Sequence, residues 1–242
     1  MLKFILPLLL CFTAAQAAEK IVLTTANTVT LRGEVTEESV VQTQTAVADL
    51  VRTRGVAQYP IYLVLDTPGG SVDAGENLIQ FLKVTPNIST ISIFAASMGA
   101  AIVEGNPGER LVTENGMIMF HRAAGAWQGQ FNEGEVESRL AMAKAMITAL
   151  ETRNAARLQM TLPDYKAAVK DELWIYGADN ITKHAADRQV DIVCSPALLE
   201  KQDTILESLL FFSAKSTYSR CPLIRGPIST QSDGDSKFFR FK

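Results

Sequence analysis

The chain predicts an α/β fold with a mainly parallel sheet, and three observations carry that prediction. Ile61-Tyr62-Leu63-Val64-Leu65 is an uninterrupted apolar run, the pattern of a strand buried on both faces. Thr90-Ile91-Ser92-Ile93 is a second, β-branched run, and the small and apolar residues after Ser97 (Met98, then Ala100 to Val103) suit a buried helix. Elsewhere, too, strand-like runs alternate with segments of helical period, as parallel strands joined by crossover helices require.

Residues 1–17 stand apart from this pattern. Lys3 precedes an apolar run, Phe4 to Phe12, broken only by Pro7, and Ala15-Gln16-Ala17 is an A-x-A cleavage site. This reads as a secretory signal peptide, too short to span a bilayer comfortably. Cys11 would suggest a lipoprotein, but Leu10 before it is bulkier than such processing favours. The mature protein is therefore expected in the periplasm or secreted; if the segment is retained, it is membrane-associated instead.

Ile21–Leu23 and Thr28–Leu31 read as strands, the second continuing or turning through Arg32–Val35. Thr36-Glu37-Glu38-Ser39 opens a helix with caps and acidic residues in its first turn, and Gly55 closes it. The 61–65 strand runs into Asp66-Thr67-Pro68-Gly69-Gly70-Ser71. Paired glycines there either let the backbone approach a ligand with its N–H groups exposed, or merely turn the chain into the helix Val72–Lys83. Arg110–Val112 is a short strand, and Asn115-Gly116 marks a tight turn before the apolar strand Met117–His121. A loop at 125–130 leads to a long helix, Asn132–Gln159. Thr161–Asp164 caps a shorter helix, Tyr165–Lys170. Asp171-Glu172-Leu173-Trp174-Ile175 leads into a polar helical stretch, Asn180–Ala186, that holds His184, and Val190–Val193 is a last strand. Beyond Cys194 an apolar helical piece, Thr204–Phe212, and a mobile polar tail are expected. The division is thus a domain over 18–193 and an extension over 194–242.

The 242 residues carry 23 basic and 26 acidic groups, a net charge of −3, which becomes −4 once Lys3 leaves with the signal peptide. No basic patch recommends nucleic acid. Two cysteines, Cys194 and Cys221, remain after cleavage, and in an exported chain they most simply pair. No CxxC, HExxH or similar spacing occurs, so neither metal nor cofactor is expected.

The chemistry centres on Ser97, at the junction of a strand and a helix. Free amides and the positive end of the helix dipole converge there and would stabilise an oxyanion. Serine is also an ordinary N-cap, so the local residues leave both readings open. His121 ends an apolar strand, where a lone histidine is more often structural than catalytic.

Three segments taken together are more specific: Thr67-Pro68-Gly69-Gly70-Ser71, Ala95-Ala96-Ser97-Met98-Gly99-Ala100 and Met119-Phe120-His121-Arg122. In this order they resemble the Clp protease proteolytic subunit (ClpP) and its relatives, including signal peptide peptidase A. Gln128-Gly129-Gln130 followed by a long helix is similar to that family's loop and handle helix, and the likeness covers about residues 20–193. It implies the ClpP/crotonase fold of repeated ββα units with a protruding handle helix, and a serine peptidase. Carried over by position, Ser97 is the nucleophile and His121 its base. The amides of Gly69 and Met98 form the oxyanion hole, with Gly70 supporting the loop. The family places an acid two residues before an aromatic; here that position is Glu172, not Asp, with Asp171 beside it. Glu172 is the favoured partner of His121, Asp171 the alternative, and a Ser–His dyad the third possibility.

The resemblance further implies a peptide or unfolded protein bound as an added strand between Gly70–Ser71 and the loop after His121. It also implies a homo-oligomer formed through the helix 132–159. Cytosolic relatives are fed by an ATP-driven unfoldase. An exported chain meets little ATP, so no ATPase partner is expected. The competing readings are a crotonase-type acyl-CoA enzyme, which export disfavours, a catalytically inactive scaffold, and a membrane-tethered peptidase that degrades signal peptides.

Overall fold

The computed structural model describes residues 19–54, 60–124, 130–200, 202–209, 212–225 and 227–232. Residues 1–17, where a signal peptide is expected, Gly55, residues 125–129 and the end of the tail lie outside the described residues. Seven strands make one sheet: β1 (Glu19–Leu23), β2 (Thr28–Val35), β3 (Ile61–Gly70), β4 (Ile88–Ala96), β5 (Arg110–Phe120), β6 (Leu173–Tyr176) and β7 (Arg188–Cys194). Their order is β1-β7-β5-β4-β3-β2 with every neighbour parallel, and β6 adds antiparallel to the end of β5. The helices are α1 (Glu37–Arg54), α2 (Val72–Val84), α3 (Met98–Gly105), α4 (Glu133–Arg157), α5 (Leu162–Ala168), α6 (Asp179–Thr182) and α7 (Pro196–Glu200). The α/β fold with a mostly parallel sheet is the one expected.

The sheet is buried on both faces, which explains the unbroken apolar run in β3. Leu63 and Leu65 point into the main core with Leu78, Ile79 and Leu82 of α2 and Ile102 and Val103 of α3. Val64 points the other way, into a smaller core with Ile91, Leu111, Val190 and Leu198 of α7. α4 behaves differently. A capping box between Asn132 and Glu135 starts it, every residue from Glu133 to Met142 is exposed, and only its last turns bury Glu151, Asn154 and Ala155.

Three local expectations are corrected. Asn115-Gly116 is not a hairpin turn: β5 is continuous, and residues 113–116 form an excursion where its register against β4 shifts. The first half of β5 pairs with β7 and the second with β6, so the irregularity sits where the strand changes partner. The helical stretch Asn180–Ala186 shrinks to the four residues of α6. The piece Thr204–Phe212 is not helical. It falls in a β-hairpin, β8 (Gln202–Leu209) with β9 (Phe212–Ser219), extended by β10 (Pro227–Ser232) into a three-stranded antiparallel sheet. A short apolar run satisfies either period, and here a partner strand ten residues on decides it.

The extension is fastened at several points. Cys194 of β7 is disulfide-bonded to Cys221. Arg32 of β2 donates to the carbonyls of Pro222 (2.6 Å) and Ile224 (2.9 Å) and through Nε to Asp66 (3.2 Å). Arg225 pairs with the other oxygen of Asp66 at 2.8 Å. The disulfide closes a loop with a sequence separation of 27. Its reduction, or Cys221→Ser, should lower unfolding free energy by about 3–4 kcal/mol on loop entropy, measured by urea denaturation with and without reductant.

A second network ties α3 to the rest of the domain. Glu104 is wholly buried and pairs with Arg110 at 2.6 Å and Arg157 at 3.5 Å; Arg110 also pairs with Asp187 at 2.6 Å. Burial pushes the Glu104 carboxyl up to about 7, against the pull of both arginines. A carboxyl held above its unfolded pKa binds its proton more tightly when folded. Its contribution is therefore complete below the ordinary carboxylate range and is lost as pH rises through about 7. Between pH 5 and 8 the protein should lose stability, with at most roughly 3 kcal/mol of it from this group, and Glu104→Gln should flatten that slope in thermal or urea unfolding.

Candidate active site

Ser97 lies between β4 and α3, on the turn the sequence places there. Its backbone is held at φ 55°, ψ −115°, a conformation that costs an L-residue about 1–3 kcal/mol and that clusters at functional sites. The Ser97 N–H donates to the carbonyl of Met119 at 2.8 Å, and Ala96 is paired with Met119 in the β4–β5 register. His121 follows two residues after Met119. The ends of two adjacent parallel strands thus deliver the two side chains to one point: Ser97 Oγ and His121 Nε2 are 2.6 Å apart. Ser97 occupies the N-cap position of α3, yet its side chain makes no capping hydrogen bond. The ordinary capping reading is therefore not realised, and the hydroxyl is committed to the imidazole.

The β3 loop closes on this turn from the other side. A Cβ added to Gly69 would fall 2.6 Å from Ala96 O, 2.7 Å from Ser97 Cβ and 2.8 Å from Met98 N, so only glycine fits. Met98 begins α3, and its N–H is one of the first-turn amides without an acceptor inside the helix. The Gly69 N–H donates to Thr67 Oγ1 at 3.0 Å. In this state Met98 offers a free amide beside Ser97, and Gly69 offers one that must first leave the threonine.

Gly70 pairs with Val35 of β2 on one side. On the other, β4 stops pairing at Thr67–Ala95, leaving the edge of residues 68–70 open toward the serine. There lies a cleft of about 320 Å³, walled by Pro68, Gly70, Met98, Phe120, Leu150 and Tyr165 among others, with Ser97 and His121 in its lining. The sequence reading did not single out Asn154 and Tyr165, which line the cleft and are joined by a 3.2 Å hydrogen bond. Leu150 and Asn154, at i and i+4 on α4, were the available signal.

The carboxylates are not joined to the pair by a hydrogen bond. Glu172 accepts from the indole N–H of Trp174 at 2.8 Å, Asp171 is exposed, and no carboxylate hydrogen-bonds His121 among the described residues. His184 is exposed and part of no such arrangement. Among the described residues no group of three or more His, Cys, Asp or Glu side chains could hold a metal ion.

The closeness of Gly69 to the serine turn can be measured. Gly69→Ala should destabilise by about 1–3 kcal/mol and displace the turn, because both its φ of +94° and three close atoms oppose a Cβ. Gly33→Ala meets no atom within 4 Å and bears only the strain of its φ of +80°, so it should cost about 1–2 kcal/mol and leave the serine turn in place. Urea unfolding of the two variants provides the comparison.

Comparison with known families accords with this geometry. The Clp protease family model matches residues 14–183, from before β1 into the segment after α6 and well over half of the chain. The strands of the parallel sheet, helix α4 and the serine turn all lie within that span, apart from β7, which pairs between β1 and β5. The chain belongs to the Clp protease family, a family of peptidases.

Proposed function

We propose that this protein is an exported, ATP-independent serine endopeptidase that cuts unfolded chains or short peptides. The observation that carries this reading is the 2.6 Å contact of Ser97 Oγ with His121 Nε2 on a strained turn that leaves the serine uncapped. Free serine is a poor nucleophile at neutral pH, and a positioned base removes that obstacle. His121 takes the Oγ proton as Oγ attacks the scissile carbonyl, then returns it to the leaving amine. The developing oxyanion is met by the Met98 N–H and by Gly69 N–H once it is released from Thr67, each such donor being worth about 3 kcal/mol. Water then hydrolyses the acyl-enzyme by the reverse proton route.

The open edge of residues 68–70 suits a substrate added as a strand, with its side chains alternating into the cleft. Export rests on the N-terminal 17 residues, and independence from an ATPase rests on export. The protruding part of α4 exposes Val136, Leu140 and Met142 at 44%, 42% and 60%, an apolar stripe best covered by a second copy in a homo-oligomer.

One observation favours a second reading. His121 has no carboxylate partner among the described residues, as a dyad, or a scaffold that has lost its chemistry, would show. Fluorophosphonate labelling of the mature, assembled protein separates these readings. The peptidase reading expects labelling that is abolished in Ser97→Ala and falls by about 10³-fold or more in His121→Ala. Glu172→Gln should slow labelling and Asp171→Asn should not. Unlabelled native protein that cleaves no unfolded substrate would leave the scaffold.

A further inference from the structure

The Trp174–Glu172 hydrogen bond is outside what the family match explains, and it lies beside the weakest point of the site. β5 and β6 run antiparallel with Met119 opposite Trp174 and Phe120 opposite Leu173. The ladder ends there, with Glu172 the residue next to Leu173 just outside β6 and His121 the residue next to Phe120 just outside β5. Trp174, directly opposite Met119, shares its face of the sheet, and its hydrogen bond to Glu172 draws the carboxylate to that side chain.

Three observations show this corner to be built. Glu172 is held at φ 83°, a left-handed backbone that a glutamate adopts only when its surroundings impose it. The Trp174 indole N–H donates to Glu172 Oε2 at 2.8 Å, a charge-assisted bond that takes one carboxylate oxygen and leaves Oε1 without a hydrogen-bond partner among the described residues. The indole is in turn fixed, because its ring stacks on Phe94 of β4 with centroids 6.3 Å apart and planes 21° from parallel. Phe94 lies three residues before Ser97 on the same strand. The chain of contact therefore runs from β4, which leads into Ser97, through two aromatic rings to the Glu172 carboxylate.

We propose that Trp174 is a positioning residue for the acid. By holding Glu172 Oε2, the indole orients the long, otherwise free-swinging side chain so that Oε1 can accept from His121 Nδ1–H when substrate orders the site. A glutamate is one methylene longer than an aspartate and has one more rotor to fix, and the indole N–H is the group placed to fix it. This inference rests on the peptidase reading and on Glu172 as the acid.

The test is a double-mutant cycle of Trp174→Phe and Glu172→Gln in the full mature protein. It measures kcat and KM on a quenched fluorogenic peptide and the rate of fluorophosphonate labelling. Phenylalanine keeps an aromatic ring against Phe94 but deletes the donor together with part of the stacked area, and the cycle with Glu172→Gln separates the two. Trp174→Phe should lower kcat about tenfold with KM unchanged and slow labelling in step, while in the Glu172→Gln background it should change neither. An equal loss in both backgrounds overturns the proposal, because a packing or folding defect does not depend on the carboxylate. Wild-type activity in Trp174→Phe, with Glu172→Gln impaired, overturns it while leaving Glu172 as the acid. Full activity in Glu172→Gln refutes Glu172 and Trp174 together, and absence of labelling in the unsubstituted protein refutes the peptidase itself.

Discussion

The hydrogen bond from Ser97 N–H to Met119 C=O is the constraint on which the rest of the site depends. It locks the end of β4 to the end of β5 at the point where one strand turns into a helix and the other releases His121. Without that bond the strand ends would be two mobile termini, and a 2.6 Å side-chain contact between them would be one conformer among many. With it, the contact follows from sheet register alone. The strained φ of Ser97 is tolerable because Gly69 leaves no room for the turn to relax and α3 is buried along its whole length. Rigid scaffold and strained turn are one arrangement: the first holds the second in place.

The same logic extends outward to α3. A helix whose first residue supplies the Met98 amide must not slide along its axis, and its last turns are pinned by Glu104 to Arg110 and Arg157. Burying these charges carries a desolvation cost that their attraction offsets only in part, so the network is better understood as fixing register than as adding stability. At the other edge of the sheet the extension does related work. Arg32 and Arg225 converge on Asp66, which lies on β3 three residues before Gly69. The clamp on the C-terminal segment is thus also a clamp on the strand that delivers the glycine loop.

Much of this was legible in the sequence, for physical reasons that differ by element. β3 and β4 could be read because burial on both faces leaves a continuous apolar run that few other structures tolerate. Ser97 and His121 were ambiguous residue by residue and were linked only by the resemblance of three segments taken together; the structure brings their side chains to 2.6 Å. The β8–β9 hairpin could not: Thr204–Phe212 carries an apolar pattern whose meaning depends on Phe212–Ser219 lying against it, a non-local fact. The excursion at 113–116 was misread for a related reason. Asn-Gly signals a change of chain direction only if both flanking strands pair with each other, and here each half of β5 pairs elsewhere.

The acid shows where reading by position stops and structure must take over. The spacing to the aromatic favours Glu172 and keeps Asp171 as the alternative, but it cannot say where either side chain goes. The β5–β6 ladder ends at Phe120 opposite Leu173, which leaves Glu172 next to the end of the ladder and Asp171 one residue further from it. The carboxylate there is occupied by Trp174 on one oxygen, which a sequence cannot display because an aromatic two residues away reads as packing. Catalytic hydrogen bonds often tighten only in the complex with substrate. On the role proposed for Trp174, the indole would hold Glu172 for that step, and the departure of Glu for Asp would come with a support of its own.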